Sequence, residues 1–334
     1  MLNYLRVIYI EEATMKKFFA SVLAIILVLL ATGCGDTAPT ESEKTKILLL
    51  GNSHSLDTFL ALPEICKAEG CNNYVFGVAY RAKGSLTIHE SNMINQVEDY
   101  IYYLSNPDVS GGIWRKPVGK DYNGTPAKST ADYILGAEDW DYVFIQIGSG
   151  EVLNADIHAS SRQTVVNRIK SIRPNAKIGT TCSWLAPYSD DPNANMSKWI
   201  STYEAYNRFG STPAEHFKVH CDAMKNYILP DPVYSSNNCV GTAIYYANQV
   251  LGVSSDDLYR DPVHMSQFGR GLAAYSFLTQ FLGKAIDEVR LTTLSGAVAP
   301  SGNDSLTLTD EQKNIIKSSA NCALNNPWEV PVAE

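Results

Sequence analysis

Short apolar runs alternate along the chain with segments whose apolar residues recur at helical spacing. The apolar runs predict strands at 46–50, 74–79, 141–147 and 177–182. The helical spacing predicts helices at 161–172, 197–209, 213–228, 241–251 and 266–282. Strands that alternate with helices are typical of βαβ units, whose crossover connections are right-handed. The pattern therefore predicts an α/β fold, a three-layer α/β/α sandwich around a central parallel sheet.

Turn signals interrupt this alternation between residues 106 and 130, where Asn-Pro, Gly-Gly, Pro-Val-Gly and Asn-Gly-Thr-Pro all occur. We expect this stretch to be a surface insertion that walls a cleft. A second polar stretch, 295–305, predicts a linker, and 309–323 predicts a helix that packs back on the domain or closes it. The predicted domain is therefore 45–290, followed by a C-terminal extension at 291–334.

The first 34 residues have the pattern of an export signal. Met15-Lys16-Lys17 precedes an apolar run, 18–30, that is too short to cross a bilayer comfortably. Small residues follow, and then Cys34, in a sequence that resembles a bacterial lipobox. This resemblance implies that Cys34 is the lipidated first residue of the mature protein, which would then contact the membrane only through its lipid anchor. Plain secretion stays open, because Ala31 is a weaker lipobox residue than leucine.

The residues before Met15 fit no export signal, because Glu11 and Glu12 lie among them. We therefore expect translation to start at Met15. The polar residues 35–44 predict a flexible tether.

Length and charge narrow the class of protein further. The roughly 300 residues after the signal suit one α/β domain with insertions. The net charge is −8 at pH 7, and no run is rich in lysine and arginine. Because phosphate neutralisation needs a basic face, we expect no nucleic-acid partner.

The cysteines beyond Cys34 are even in number: Cys66, Cys71, Cys182, Cys221, Cys239 and Cys322. An even count in an exported chain permits disulfides. Cys66 and Cys71 are close enough in sequence for a local bridge. No pair or cluster has the spacing of a zinc site, so we expect no structural metal.

The first candidate for chemistry is Ser53, in Gly51-Asn52-Ser53-His54-Ser55. It follows the first predicted strand, and open α/β sheets bind their ligands at the carboxyl ends of strands. A serine hydroxyl is a poor nucleophile until a base takes its proton. Alone, Ser53 fits a helix-capping turn serine as well as a nucleophile.

The second candidate is the pair Asp261 and His264, which precedes the helix predicted at 266–282. A carboxylate three residues before an imidazole can hold its Nδ1–H, which fixes the tautomer and stabilises the imidazolium. An ordinary Asp-Pro turn beside a surface histidine is the alternative. Together with Ser53 the pair supplies a nucleophile, a base and an orienting acid in the order Ser, Asp, His.

These two blocks resemble those of the SGNH hydrolases, also called GDSL-like esterases, over roughly 45–284. In that superfamily a Gly-Asp-Ser block follows the first strand and an Asp-x-x-His block lies near the C-terminus. Gly51-Asn52-Ser53 and Asp261-Pro262-Val263-His264 match these blocks, with Asn52 in place of the usual aspartate. The resemblance implies a flavodoxin-like hydrolase of an exported branch, in which Ser53, His264 and Asp261 are catalytic and no cofactor is required.

The family's oxyanion hole also uses two further blocks. The resemblance assigns one backbone donor to Gly84, in addition to the N–H of Ser53. An ordinary turn glycine is the alternative for Gly84. The third block departs from the pattern, because Gly148-Ser149-Gly150-Glu151 has glycine where the family has a side-chain donor. Gln146, at the end of the same strand, is the proposed replacement. Its alternative is an amide satisfied by neighbouring loop backbone.

We assign no catalytic role to the remaining polar residues near these blocks. Because adjacent residues at a turn point apart, we expect His54 to be a loop or wall residue and not the base for Ser53. Asp57 and Glu151 are interpreted as solvated surface charges, with a place in the cleft as the alternative. No role is assigned to the other histidines: His89, His158, His216 and His220.

The sequence thus predicts a serine esterase that removes acyl groups, for instance acetyl, from a glycan or small-molecule ester outside the cytoplasm. The substrate class follows from the resemblance and the export signal. A non-catalytic glycan-binding lipoprotein on the same fold is one alternative, suggested by the altered third block. A metal-dependent phosphoesterase built on Asp261 and His264 is another.

Overall fold

A mixed sheet of seven strands lies at the centre of the described chain, in the order β4-β3-β2-β1-β5-β6-β7. The computed structural model describes residues 44–105, 114–115, 127–152, 159–185, 212–261, 263–295 and 305–332. The strands are β1 Thr45–Gly51, β2 Tyr74–Tyr80, β3 Ile101–Ser105, β4 Trp114–Arg115, β5 Tyr142–Ile147, β6 Lys177–Cys182 and β7 Tyr234–Cys239. A separate hairpin pairs β8 Thr293–Leu294 with β9 Leu306–Thr307.

Helices cover both faces of this sheet. They are α1 Ser53–Phe59, α2 Leu62–Ala68, α3 Leu86–Asn95, α4 Ala131–Ala137, α5 Ser149–Val152, α6 Ala159–Ile172, α7 Pro213–Tyr227, α8 Val240–Tyr245, α9 Ser255–Leu258, α10 Gln267–Leu282 and α11 Asp310–Asn325. One apolar core joins α1, α2, α8, α10 and α11 to the sheet, and a second joins α3, α4, α6 and α7 to its other face. The predicted three-layer α/β/α sandwich is therefore confirmed.

The alternation of side chains along β1 explains why both faces need cover. Ile47 and Leu49 point into the first core, whereas Leu48 and Leu50 point into the second. All four are at most 1% exposed. Continuous apolar runs of this kind are typical of parallel strands buried on both faces.

The sheet is parallel through β2, β1, β5, β6 and β7, as the sequence predicts. It becomes antiparallel at one edge, where β3 pairs with β2 and β4 pairs with β3. The sequence pattern missed β3 and also β7, whose sequence Tyr-Ser-Ser-Asn-Asn-Cys is polar. β7 is an edge strand, and such a strand needs fewer apolar residues than a central one because it packs against fewer neighbours.

The predicted helices agree with the structure wherever it describes them, apart from one. The helix predicted at 241–251 ends at Tyr245 and continues as a π-helical turn, Tyr246–Val250. The predicted helix at 197–209, most of 106–130, the export signal and Cys34 lie outside the described residues. No helix among the described residues is long and apolar enough to span a membrane.

The six cysteines after Cys34 are free thiols, so the local bridge considered for Cys66 and Cys71 is not formed in this structure. Burial raises the pKa of Cys66 and of Cys71.

The strand order places the chain's reversal point beside β1. The chain moves from β1 to β2 on one side and later enters β5 on the other. Crevices in open α/β sheets form at the carboxyl ends of strands where the order reverses. Residues that follow β1 and β5 are therefore the ones placed to form a site.

A glycine in β6 makes room for an aromatic ring of the neighbouring strand. Gly179 pairs with Phe144, and a Cβ at Gly179 would lie 2.6 Å from Phe144 Cδ1. We predict that Gly179→Ala lowers the free energy of unfolding by about 1–3 kcal/mol, because the buried ring must shift. Urea unfolding measures this change.

The matched control is Gly136→Ala in α4, where a Cβ would meet nothing within 4 Å. We expect this exposed helical position to be neutral or stabilised by up to about 1 kcal/mol. Equal effects of the two substitutions would contradict the packing argument.

Candidate active site

The turn between β1 and α1 holds Ser53 at the first position of the helix. Asn52 caps α1, and its Oδ1 accepts a hydrogen bond from the N–H of His54 at 3.0 Å. Gly51 has no room for a side chain, because a Cβ would overlap Ser55 Oγ and lie 2.7 Å from Gln146 Cβ. The tight packing fixes the point at which Ser53 leaves the sheet.

A closed loop between α9 and α10 carries the histidine. Tyr259 and Met265 form an isolated antiparallel bridge, and the N–H of Arg260 donates to the carbonyl of His264 at 3.0 Å. Asp261 lies inside this loop, and its Oδ1 accepts from the N–H of His264, also at 3.0 Å. We call the described residues 259–261 and 263–266 the histidine loop.

The structure brings Ser53, His264 and Asp261 together in one chain of hydrogen bonds. His264 Nε2 lies 2.8 Å from Ser53 Oγ, across 211 residues of sequence. His264 Nδ1 lies 2.9 Å from Asp261 Oδ1 and 2.8 Å from Oδ2. Since the carboxylate can only accept, Nδ1 carries the proton and Nε2 is left to accept one from the serine.

The electrostatic surroundings favour a charged Asp261. Partial burial by itself would raise the pKa of this carboxyl, but hydrogen bonds from the Val263 N–H, the His264 N–H and the His264 imidazole lower it overall. A carboxylate that stays charged can hold the imidazole in one tautomer and stabilise it when it takes a second proton.

Asp57 is buried, so its interpretation as a solvated surface charge is wrong. Its side chain is 1% exposed and lies one helical turn after Ser53. Oδ1 accepts from Arg260 Nη1 at 3.0 Å and from Arg270 Nε at 2.8 Å, while Oδ2 accepts from the N–H of Met265 at 2.9 Å. These partners are more than 200 residues away in sequence, so local pattern gave no signal of them.

Gln146 faces away from Ile145 and Ile147, which pack in the second core as predicted. Its side chain is 4% exposed. Oε1 accepts from the N–H of Asn52 at 3.0 Å and from Ser55 Oγ at 2.9 Å. Because a backbone N–H can only donate, this contact fixes the amide oxygen toward the Asn52 turn. In the described part of the chain, Nε2 is buried and has no hydrogen-bond partner.

Gly84 lies beside the same turn, but its N–H is engaged differently from the expectation. That N–H donates to the carbonyl of Arg81 at 2.9 Å, in a turn that holds Lys83 at φ 57°. The carbonyl of Gly84 accepts from Asn52 Nδ2 at 3.0 Å. Gly84 therefore anchors the residue before Ser53, and its N–H is committed to the turn. The sequence indicates a glycine but not the direction of its N–H.

Glu151 is also not a solvated charge, contrary to the expectation. Its Oε1 accepts from the N–H of Leu86, and its Oε2 accepts from the N–H of Gly148 at 3.1 Å. The carboxylate thus links the segment after β5 to the first turn of α3, where it also complements the helix dipole.

His54 lies beside the Ser53–His264 pair, and its ring packs against Trp184. The ring centroids of His54 and Trp184 are 4.6 Å apart, and His54 meets His264 edge-on at 6.1 Å. Burial among these groups lowers the pKa of His54 to about 4. His54 is thus a neutral wall of the site, while Ser53 contacts His264.

The remaining histidines lie away from this cluster. His89 Nδ1 is 2.9 Å from the hydroxyl of Tyr100, and His216 and His220 are buried on α7. His158 lies outside the described residues.

The comparison with solved structures bears on the fold. A DUF4886 family protein from Bacteroides uniformis matches with a TM-score of 0.66 at 22% identity, over 86% of this chain and 97% of that chain. A member of the lipolytic protein G-D-S-L family from Veillonella parvula matches at a TM-score of 0.36 and 15% identity, over 71% of this chain and 98% of that chain. The second similarity is too slight to support an argument.

The first of these matches shows the fold alone. The three layers, and the positions of the two blocks at the end of β1 and before α10, are those that the resemblance implies. No protein-family model and no curated protein matches the sequence.

The buried His89, His216 and His220, together with the half-buried His54, generate a prediction about pH. Burial lowers the pKa of His54 and His216 to about 4, and of His89 and His220 to about 3. Unfolded histidine titrates near pH 6.5, so between about pH 6.5 and pH 4 the unfolded chain binds more protons than the folded one. We therefore predict that the free energy of unfolding falls as pH is lowered through this window, measured by urea unfolding.

The variant His220→Phe tests the cause. It removes one titrating group, so the dependence of unfolding free energy on pH should become shallower between pH 7 and pH 5. Carboxylates of ordinary pKa titrate mostly below this interval, and Glu64, whose pKa is raised by burial, is present in both proteins. An unchanged slope would show that His220 is not held neutral.

Proposed function

We propose that the protein is a serine esterase that cleaves an ester by two successive acyl transfers. The observation that carries this proposal is the chain of contacts from Ser53 Oγ to His264 Nε2, at 2.8 Å, and from His264 Nδ1 to the Asp261 carboxylate. A hydroxyl, an imidazole and a carboxylate in this order form an activated nucleophile.

In the first transfer, Ser53 Oγ attacks the acyl carbon while His264 Nε2 takes the hydroxyl proton. Collapse of the tetrahedral intermediate breaks the ester bond, and His264 gives the proton to the departing alkoxide. Water then attacks the acyl-serine with His264 again as base, which releases the acid and restores Ser53. Asp261 holds the imidazole and stabilises its positive charge in both transfers.

The oxyanion donors that we propose are the N–H of Ser53 and the amide of Gln146. Ser53 opens α1, and in the described part of the chain its N–H makes no hydrogen bond. Gln146 Nε2 is a buried donor fixed next to the nucleophile turn by the contact of Oε1 with Asn52. Donors already in place where negative charge develops stabilise the transition state without rearrangement.

The substrate class that we propose is an acylated glycan or small ester outside the cytoplasm. Its support is the predicted export signal together with the SGNH resemblance. Among the described residues, no three side chains of metal-ligand type are grouped as a metal site would need. The metal-dependent phosphoesterase therefore has no specific observation in its favour.

Substitution of the three residues tests the mechanism. We predict that Ser53→Ala and His264→Ala each lower the hydrolysis of p-nitrophenyl acyl esters to the rate without enzyme, because nucleophile and base act as one unit. Asp261→Asn should retain more activity, because it disturbs tautomer and orientation only. Circular dichroism and thermal unfolding confirm that the variants are folded.

Ser171→Ala, at an exposed serine of α6, is the matched control and should keep full activity. A fluorophosphonate probe should label the wild type at Ser53 and should not label Ser53→Ala. Near-normal turnover in His264→Ala would refute the mechanism. A folded wild type that neither turns over esters nor reacts with the probe would favour the glycan-binding alternative.

The Gln146 donor has its own test. We predict that Gln146→Leu lowers kcat by about 10²–10³-fold with little change in KM, the usual effect of losing one oxyanion donor. Ser55→Ala removes one of the two bonds to Oε1 and leaves Nε2 in place, so its effect on kcat should be much smaller. Equal losses in the two variants would mean that Gln146 acts only by holding the turn.

A further inference from the structure

Helix α1 carries two functional side chains on one face, four residues apart. Ser53 stands at its first position, and Asp57 follows one helical turn later. Residues four apart on a helix lie one above the other. Asp57 therefore reaches the same neighbouring element as Ser53, at a deeper level.

That element is the histidine loop, and Asp57 binds it at two points. Its Oδ2 accepts from the N–H of Met265, the residue after His264, at 2.9 Å. Its Oδ1 accepts from Nη1 of Arg260, the residue before Asp261, at 3.0 Å. The same Nη1 also donates to the carbonyl of Met265. Both members of the His–Asp pair thus have a direct neighbour in sequence that is tied to Asp57.

The loop is closed by its own backbone hydrogen bonds. The Tyr259–Met265 bridge and the bond from the Arg260 N–H to the His264 carbonyl close it at its base, and the N–H of Ser266 donates to the carbonyl of Leu258 at 2.8 Å. A closed loop moves as a unit. Its position relative to α1 therefore depends on the contacts at its outer surface. Besides the contacts of Ser53 and His54 with His264, α1 supplies the hydrogen bonds of Asp57.

Charge makes this attachment strong. Arg270, from α10, donates from Nε to Asp57 Oδ1 at 2.8 Å, and its side chain is 5% exposed. A buried carboxylate with two guanidinium partners and a backbone donor is compensated for its loss of water. Removing the negative charge would leave the two cations without that compensation and push the loop away from α1.

We infer that Asp57 is a positioning residue, which sets the distance between Ser53 Oγ and His264 Nε2 by fastening the histidine loop to the helix that carries the serine. The inference rests on the proposed function for its effect on rate. A displacement of about 1 Å between reacting groups can lower a rate by about 10²-fold. Substrate contacts are untouched, so the effect should fall on kcat and not on KM.

The test compares Asp57→Asn with a matched control, Glu69→Gln. Asparagine has the shape of aspartate but presents an NH2 group to donors that need an acceptor. Glu69 also ties helices together through a carboxylate, because its Oε1 accepts from the hydroxyl of Tyr275 at 2.6 Å and from the N–H of Arg290 at 2.8 Å. Those contacts do not include the histidine loop.

Steady-state kinetics are measured well below the melting temperature of each variant. We expect Asp57→Asn to lower kcat by about 10²-fold with KM within about twofold, and Glu69→Gln to leave both constants close to wild type. If Asp57→Asn does not fold, Arg260→Gln, which removes the more exposed partner, should give a smaller loss of kcat. A kcat for Asp57→Asn equal to that of Glu69→Gln, or a loss carried by KM, would overturn the inference.

Amide hydrogen exchange provides a measurement that does not depend on esterase activity. Exchange across 259–266, and at the Met265 N–H above all, should accelerate in Asp57→Asn and not in Glu69→Gln. Unchanged protection would overturn the inference even if the wild type hydrolyses esters. If exchange accelerates in Asp57→Asn but the wild type hydrolyses no ester, the proposed function is refuted and the attachment of the loop by Asp57 is supported.

Discussion

The burial of β1 on both faces is the constraint on which the rest of the structure depends. Four consecutive apolar residues, Ile47 to Leu50, are removed from water on opposite sides of the sheet. Such a strand is stable only if helices cover both faces and parallel strands flank it. Once the core is built around β1, the first residues that can meet solvent or a ligand are those that follow its carboxyl end. Ser53 owes its position to this arrangement.

The sequence was sufficient for the parts of the fold that rest on local pattern. The buried parallel strands are continuous apolar runs, and α10 has a recognisable start, because Ser266 accepts a hydrogen bond from the N–H of Gly269 as an N-cap does. The antiparallel edge was missed because its last strand, Trp114–Arg115, is two residues long and lies among turn signals. The polar strand β7 was missed for lack of apolar alternation.

The site shows where sequence reasoning ends. The order of Ser53, Asp261 and His264 along the chain indicated a triad-like arrangement, because each belongs to a short block with a local meaning. Asp57 and Glu151 carry no such block, and a lone acidic residue is most often solvated. Their burial follows from donors on distant elements, which no local spacing reveals. The direction of the Gly84 N–H was also not predictable from local spacing, because it depends on which carbonyl closes the turn.

The length of chain between Ser53 and His264 has a consequence for the protein during its synthesis. Ser53 lies near the start of the described residues, whereas the imidazole of His264 comes 211 residues later. A ribosome-bound chain, or one cut anywhere between them by a protease and separated, has a serine hydroxyl without a base. In the nascent polypeptide, Ser53 therefore has no base until the C-terminal third of the chain has been synthesised and the histidine loop has packed against α1. Under the proposed function, the unfinished chain therefore has no esterase activity in the compartment in which it is synthesised.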